Sequence, residues 1–206
     1  MKSSDPVPHR IFQLVAAHPA LDLVNTMDWR FRPSGPEEFL ETYNDLVRFT
    51  EQSKLLSTEQ AQHLLSTVSS RKGATALVCA KELREAVSDV LYAALSGNSI
   101  PPSQVQTLER HFRNARQHQK LQWIGSHLQW TWTEASDEPD LPLWLLAKSA
   151  SSLLTSEFLS LVRVCDNTEC KWLFLDTSKN HSKRWCDMRV CGNRMKARRF
   201  KAQRAS

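Results

Sequence analysis

Four of the five cysteines in this 206-residue chain are Cys165, Cys170, Cys186 and Cys191. Their spacing is C-x4-C, fifteen intervening residues, then C-x4-C. Soft thiolates in two short-looped pairs can grip one tetrahedral ion, the arrangement of structural zinc. Other chemistries take four cysteines too. Two disulfides suit an oxidising compartment, and an iron–sulfur cluster takes the same ligands. Catalytic zinc keeps a coordination position open, which four thiolates would fill. The pattern points to a closed site for one structural zinc ion. His181 lies in an expected turn and reads as exposed, not as a fifth ligand. Cys79 falls on the apolar stripe of a helix and reads as a small buried thiol.

A module of about forty residues rarely folds on apolar burial alone, so a metal staple suits its size. Between the pairs, KWLFLDTSKNHSKRW predicts two short strands around a turn at residues 176–180, with Trp172, Phe174 and Trp185 as a minimal core. Cationic residues crowd the segment after Cys191: Arg194, Lys196, Arg198, Arg199, Lys201 and Arg204. Residues 163–206 hold 12 of the 27 Lys/Arg and 4 of the 22 Asp/Glu, a formal +8, which leaves −3 for the remainder. Helix formers dominate the basic run, and Gly192-Asn193 is placed to launch it from the last cysteine. A cationic helix fits phosphate contacts and the width of a DNA major groove.

The preceding chain must position this module, and it reads as mainly helical with a small β component, an α+β architecture. SGPEEFLETYNDLVRFTEQS predicts a helix opened by Ser34 and Glu37 at capping-box spacing, with Phe39, Tyr43, Leu46 and Val47 on its apolar face. STEQAQHLLSTVSS predicts a second, packed through Ala61, Leu64, Leu65 and Val68. A longer helix is expected from about Thr75 to Leu95, with Cys79, Leu83, Val87, Val90 and Ala94 as its stripe and Gly97-Asn98 as its stop. Pro101-Pro102-Ser103 starts another, with Val105, Leu108, Phe112 and Ala115 in register. RIFQLV and LQWIGSHLQWTWTE predict short strands, the second with a turn at Gly125-Ser126. LPLWLLAKSASSLLTSEFLSLVRVC predicts a helix through Ala147, Ala150, Leu154, Phe158 and Leu161 that runs almost directly into Cys165. With no linker there, the cysteine module should be held against the helical body.

The segments FLDTSKNHSKRWC and WCDMRVCGNRMKARR resemble the CGNR zinc finger, whose tetrapeptide is here Cys191-Gly192-Asn193-Arg194. HPALDLVNTMDWR resembles the opening of the ABATE domain, chiefly through Leu21-Asp22-Leu23-Val24-Asn25-Thr26. Those resemblances imply a helical ABATE-like sensor domain over residues 1–161 and a zinc finger, a β-hairpin plus basic helix, over residues 162–206. They imply a bacterial, stress-related transcription regulator that binds DNA through the finger. Asn193 and Arg194, nearest the knuckle, either read base edges or serve the knuckle itself, Asn193 by capping its backbone and Arg194 by packing against it, and the other cations of the tail are phosphate contacts. Asp22, Asn25 and Arg30 are candidates to line a pocket for a small-molecule ligand.

Other classes find less support. An RNA-binding or protein-interaction module would use the same four cysteines, and exposed Trp172, Phe174 and Trp185 would favour it by stacking on unpaired bases. Catalysis lacks a nucleophile–base pair, an HExxH motif or a close carboxylate pair, and the five glycines include no phosphate-binding loop. No apolar run reaches the roughly 20 residues of a membrane span, nor does the N-terminus read as a secretory peptide, so a cytoplasmic location is expected.

Overall fold

The computed structural model describes residues 11–132 and 137–205. At its centre is the short helix α1, Pro19–Asn25, whose residues Ala20 to Asn25 are all buried. His18 caps it, its Nδ1 accepting from the Ala20 amide, and Pro19 occupies its first turn. Around α1 pack α4 (Ser70–Leu95) and α6 (Leu141–Leu154). Helices α2 (Tyr43–Gln52), α3 (Thr58–Thr67) and α5 (Pro102–Gln117) complete the helical layer. Among the described residues, three separate antiparallel pairs supply the β component. They are β1 (Met27–Asp28) with β2 (Glu37–Glu38), β3 (Gln119–Ile124) with β4 (His127–Trp132), and β5 (Val162–Val164) with β6 (Leu173–Leu175). A basic helix, α7 (Asn193–Ala205), ends the chain. Mainly helical α+β architecture is thus as the sequence predicts.

Several element boundaries differ from expectation, each for a physical reason. The helix expected from Ser34 begins only at Tyr43, where Thr42 and Asp45 form the capping box instead. Glu37 and Glu38 are in β2, and Glu38 is drawn inward by Arg84. Helix α4 starts five residues earlier than expected and turns a different stripe to the core. Ala76, Ala80, Leu83, Val87 and Leu91 are buried, whereas Cys79 is half-buried and Ala94 is exposed. Desolvation raises the Cys79 thiol above its ordinary value, which makes it less nucleophilic. The helix expected to run into Cys165 stops at Leu154. A 3₁₀ turn, Glu157–Leu161, and then β5 follow it, leaving Phe158 exposed. Ile11 to Val15 form no strand, and Arg10 lies outside the described residues. That segment is pinned instead by Phe12, whose amide donates to Gln52 Oε1 at 2.9 Å and whose ring meets Phe49 edge-on. The β3–β4 hairpin does turn at Gly125-Ser126, with Gly125 at φ +60.

One buried ionic cluster had no sequence signature. Arg84 is 1% exposed and donates to both carboxylate oxygens of Glu38 at 2.7 and 2.8 Å, to Glu85 Oε1 at 2.8 Å and to Thr26 Oγ1 at 3.2 Å. Arg30 closes the far side by pairing with Glu85. Burial alone raises the Glu38 carboxyl, but the Arg84 hydrogen bonds and charge outweigh it and hold Glu38 below the ordinary range.

Candidate metal centre

Four sulfur atoms converge below the helical body. Cys165, Cys170, Cys186 and Cys191 are all buried, with their ligand atoms within 4.8 Å of one another. The Cys170–Cys186 and Cys186–Cys191 sulfur separations are both 3.7 Å. A tetrahedron with metal–sulfur bonds of about 2.3 Å has edges of about 3.8 Å, so the donor set fits zinc. Disulfides would need sulfurs about 2.05 Å apart, and all four cysteines are free. Thiol–thiol hydrogen bonds, led by that between Cys165 and Cys170, pull Cys165 below the ordinary thiol value and push Cys170 above it. A divalent cation relieves such crowding by taking four thiolates at once.

Two knuckles present the sulfurs. In the first, between Cys165 and Cys170, the Asn167 carbonyl accepts from the Cys170 and Lys171 amides. Asn167 is fully buried, and its Nδ2 donates to Cys191 Sγ at 3.4 Å. That bond ties the first knuckle to a ligand of the second and orients a sulfur, as outer-shell groups do around metals. In the second knuckle Asp187 Oδ1 accepts from the Arg189 and Val190 amides, and the Asp187 carbonyl accepts from Cys191 and Gly192. The backbone from Met188 to Gly192 makes one π-helical turn that leads into α7. Asn167 and Asp187 escaped the sequence reading. An Asx residue inside each C-x4-C loop was the available signal, because such side chains cap tight turns.

The expected hairpin exists, but its strands bracket the first cysteine pair: β5 precedes Cys165, and only β6 lies between the two pairs. Val162, Arg163 and Val164 pair with Leu175, Phe174 and Leu173. The segment predicted as the second strand instead wraps around the buried carboxylate of Asp176. That group accepts from the Ser178 and Lys183 amides and the Ser178 hydroxyl. His181 sits in this loop, exposed at φ +46 and outside the sulfur cluster.

Body and finger share a core. Asn25 Nδ2 donates to the Leu173 carbonyl at 2.9 Å, and Asn25 Oδ1 accepts from the Leu173 amide at 3.0 Å. The Trp172 indole donates to Asp28 at 2.7 Å, the Tyr92 hydroxyl to the Lys171 carbonyl at 2.7 Å, and the Leu175 amide to the Ala16 carbonyl at 2.9 Å. Trp172, Leu173 and Phe174 are buried, and Trp185 is half-buried.

The other candidate residues fall in two places. Asp22 is buried on α1 with Oδ1 accepting from the Ala16 amide at 3.0 Å, Asn25 is on the finger seam, and Arg30 is in the ionic cluster. These three share one region of the body, each with partners inside the protein. Desolvation pushes the Asp22 carboxyl up to about 7. The folded protein therefore holds this proton more tightly than the unfolded chain, and stability falls as pH rises from about 4 to about 7. Asp22→Asn should gain on the wild type by about 1–2 kcal/mol between pH 5.5 and 8, as measured by urea unfolding at both pH values. A gap that stays constant would contradict the shift.

On α7, Asn193 Nδ2 donates to the Arg189 carbonyl at 3.0 Å, and Arg198 pairs with Glu169 of the first knuckle at 2.6 Å. Arg194 borders a small cleft with Asp28, Trp172 and three of the cysteines. Lys196, Arg199, Lys201 and Arg204 are exposed, with no carboxylate partner among the described residues.

A buried four-thiolate site held by two knuckles and launching a basic helix defines a structural zinc finger, here built onto a helical body. Comparison with known families agrees. The ABATE family, described as "Putative stress-induced transcription regulator", matches residues 17–157, and the CGNR zinc finger matches residues 162–204. This chain belongs to the ABATE family and carries a CGNR zinc finger that binds one structural zinc ion. No curated protein matches it. Among the described residues no helix is long and apolar enough to cross a membrane.

Proposed function

We propose that the protein is a transcription regulator that binds duplex DNA through α7, with the helical body sensing a ligand. The observation that carries this reading is the exposed cationic helix rising from a rigid zinc knuckle. Thirteen residues of α-helix extend about 20 Å, and none of them is acidic. Lys196, Arg199, Lys201 and Arg204 are free to neutralise phosphates, while Arg194 and Asn193 sit next to the knuckle where register is best fixed. Phosphate contacts position such a helix without specifying sequence. Burial of Trp172 and Phe174 removes the stacking surface that an RNA-binding reading would need from these rings.

Salt dependence tests the proposal. Each neutralised phosphate adds about −0.9 to the slope of log affinity against log salt, so four contacts give about −3.6. Arg199→Ala with Lys201→Ala should make that slope shallower by about two units across unrelated duplexes. Glu169→Gln should steepen it by releasing Arg198. Duplex affinity that ignores all three changes at low salt would remove DNA as the partner. Tighter binding to single-stranded RNA than to any duplex would favour the RNA-binding alternative.

A further inference from the structure

An apolar cavity of the body lies far in sequence from Asp22, Asn25 and Arg30. It opens between the C-terminal part of α4, α5, α6 and the base of the β3–β4 hairpin, with a volume of about 660 Å³. Volumes of about 300–1,000 Å³ are those of sites for small organic ligands. Leu91, Leu108 and Ala147 form a buried floor, and Phe112, Trp130 and Leu159 line the walls.

Polar groups around this cavity are few, and their sign is uneven. Among the described lining residues, Arg113, Arg116 and Lys148 are exposed at the rim, with Glu109 the single acid, and Glu109 is already bonded to Arg113 at 2.8 Å. Arg116 and Lys148 are thus two net positive charges. Each stands over an indole of the hairpin, Arg116 at 5.4 Å from the Trp130 centroid and Lys148 at 5.8 Å from that of Trp132. Cation–π contact of this kind holds a charge in place without neutralising it. Gln119 also lines the cavity, and its buried Nε2 has no hydrogen-bond partner. A buried amide donor left unpaired is costly and calls for an acceptor.

We propose that this cavity binds a small amphipathic organic anion, a carboxylate or sulfonate on an apolar chain or ring system. The apolar body fills the Leu91–Phe112–Leu159 chamber, and the anionic head meets Arg116, Lys148 and the Gln119 amide. Its regulatory meaning rests on the sensing role proposed above; its binding chemistry does not. Occupancy would be felt by the finger along two short paths. Leu91 is adjacent to Tyr92, which holds the Lys171 carbonyl, and Leu159 is three residues ahead of β5.

The test uses full-length zinc-loaded protein and the fluorescent probe 8-anilinonaphthalene-1-sulfonate. Saturable one-site binding is expected, displaced by decanoate but not by decyltrimethylammonium, which has the same chain and the opposite charge. Arg116→Ala with Lys148→Ala should weaken probe and decanoate by about tenfold or more, since each removes a charge-assisted contact. Ala94→Trp, a change at an exposed wall position, should block probe and decanoate together while circular dichroism stays native. Equal competition by the cationic detergent, or an unchanged affinity in the double alanine variant, would overturn the site. So would loss of probe binding in step with dimerisation, which would give the cavity to a second copy. Decanoate that binds as expected but leaves duplex affinity unchanged would end the sensing role and leave the anion site standing.

Discussion

Stripping zinc should unfold more than the finger. Structural zinc sites of this type contribute about 10–16 kcal/mol of apparent binding energy, comparable with or above the 5–15 kcal/mol that keeps a domain folded. In a finger tethered by a free linker that loss would be confined to residues 162–204. Here Trp172, Leu173 and Phe174 are buried in the same core as α1, and Asn25 spends both its polar groups on Leu173. Losing the finger would leave the Asn25 amide without its partner, take the Trp172 indole from Asp28 and strip cover from α1. If only 5 kcal/mol of the loss reaches the body, its melting temperature falls by about 10–20 °C at this chain length. Chelated protein and Cys186→Ser should both show a lowered transition in the helical circular dichroism signal. A body transition unchanged after the finger has demonstrably lost its zinc and its fold would show two independent units. Elemental analysis that finds no zinc in protein purified under reducing conditions would overturn the metal assignment itself.

Glu38→Ala should strongly destabilise the body. It leaves Arg84, at 1% exposure, with only Glu85 to offset its charge. Breaking one side of a buried ion pair costs about 3–5 kcal/mol, and the surviving Glu85 contact puts this case near the lower figure. Replacing both ends with apolar groups of similar volume removes the stranded charge. Glu38→Leu combined with Arg84→Met should therefore recover most of the loss. Denaturant titration of the two variants separates the alternatives, because an additive cost in the double variant would mean that packing matters here and the ion pair does not.

What the sequence made legible was what short spacing controls. The four cysteines are joined by loops of four residues, so their convergence could be read along the chain, as could the basic helix that follows Cys191. The β3–β4 hairpin was legible for the same reason, its turn being set by Gly125-Ser126. Interactions over long separations were not. Ser34 and Glu37 offered a capping box, yet Arg84, forty-six residues beyond Glu38, drew that segment into β2. The strand expected before Cys186 was lost to Asp176, which gathers the loop amides around one carboxylate. Trp172 and Phe174 were correctly read as core, but that core is shared with α1. The tie that Asn25 makes to the finger was not legible either, since its partner Leu173 is 148 residues away. The large cavity left no motif at all, since its floor and rim come from three helices and a hairpin.

That 148-residue separation also sets a timetable for synthesis. Ribosomes add about 5–20 residues each second, so Leu173 is made about 7–30 s after Asn25. Throughout that interval the nascent body has its central helix but not the strand that covers it. Its last apolar face closes only when the cysteines, and the metal they take, have followed it out. Zinc supply thus bears on whether the newly made chain completes its core or lingers with α1 uncovered, which ties the yield of folded protein to metal availability at the ribosome.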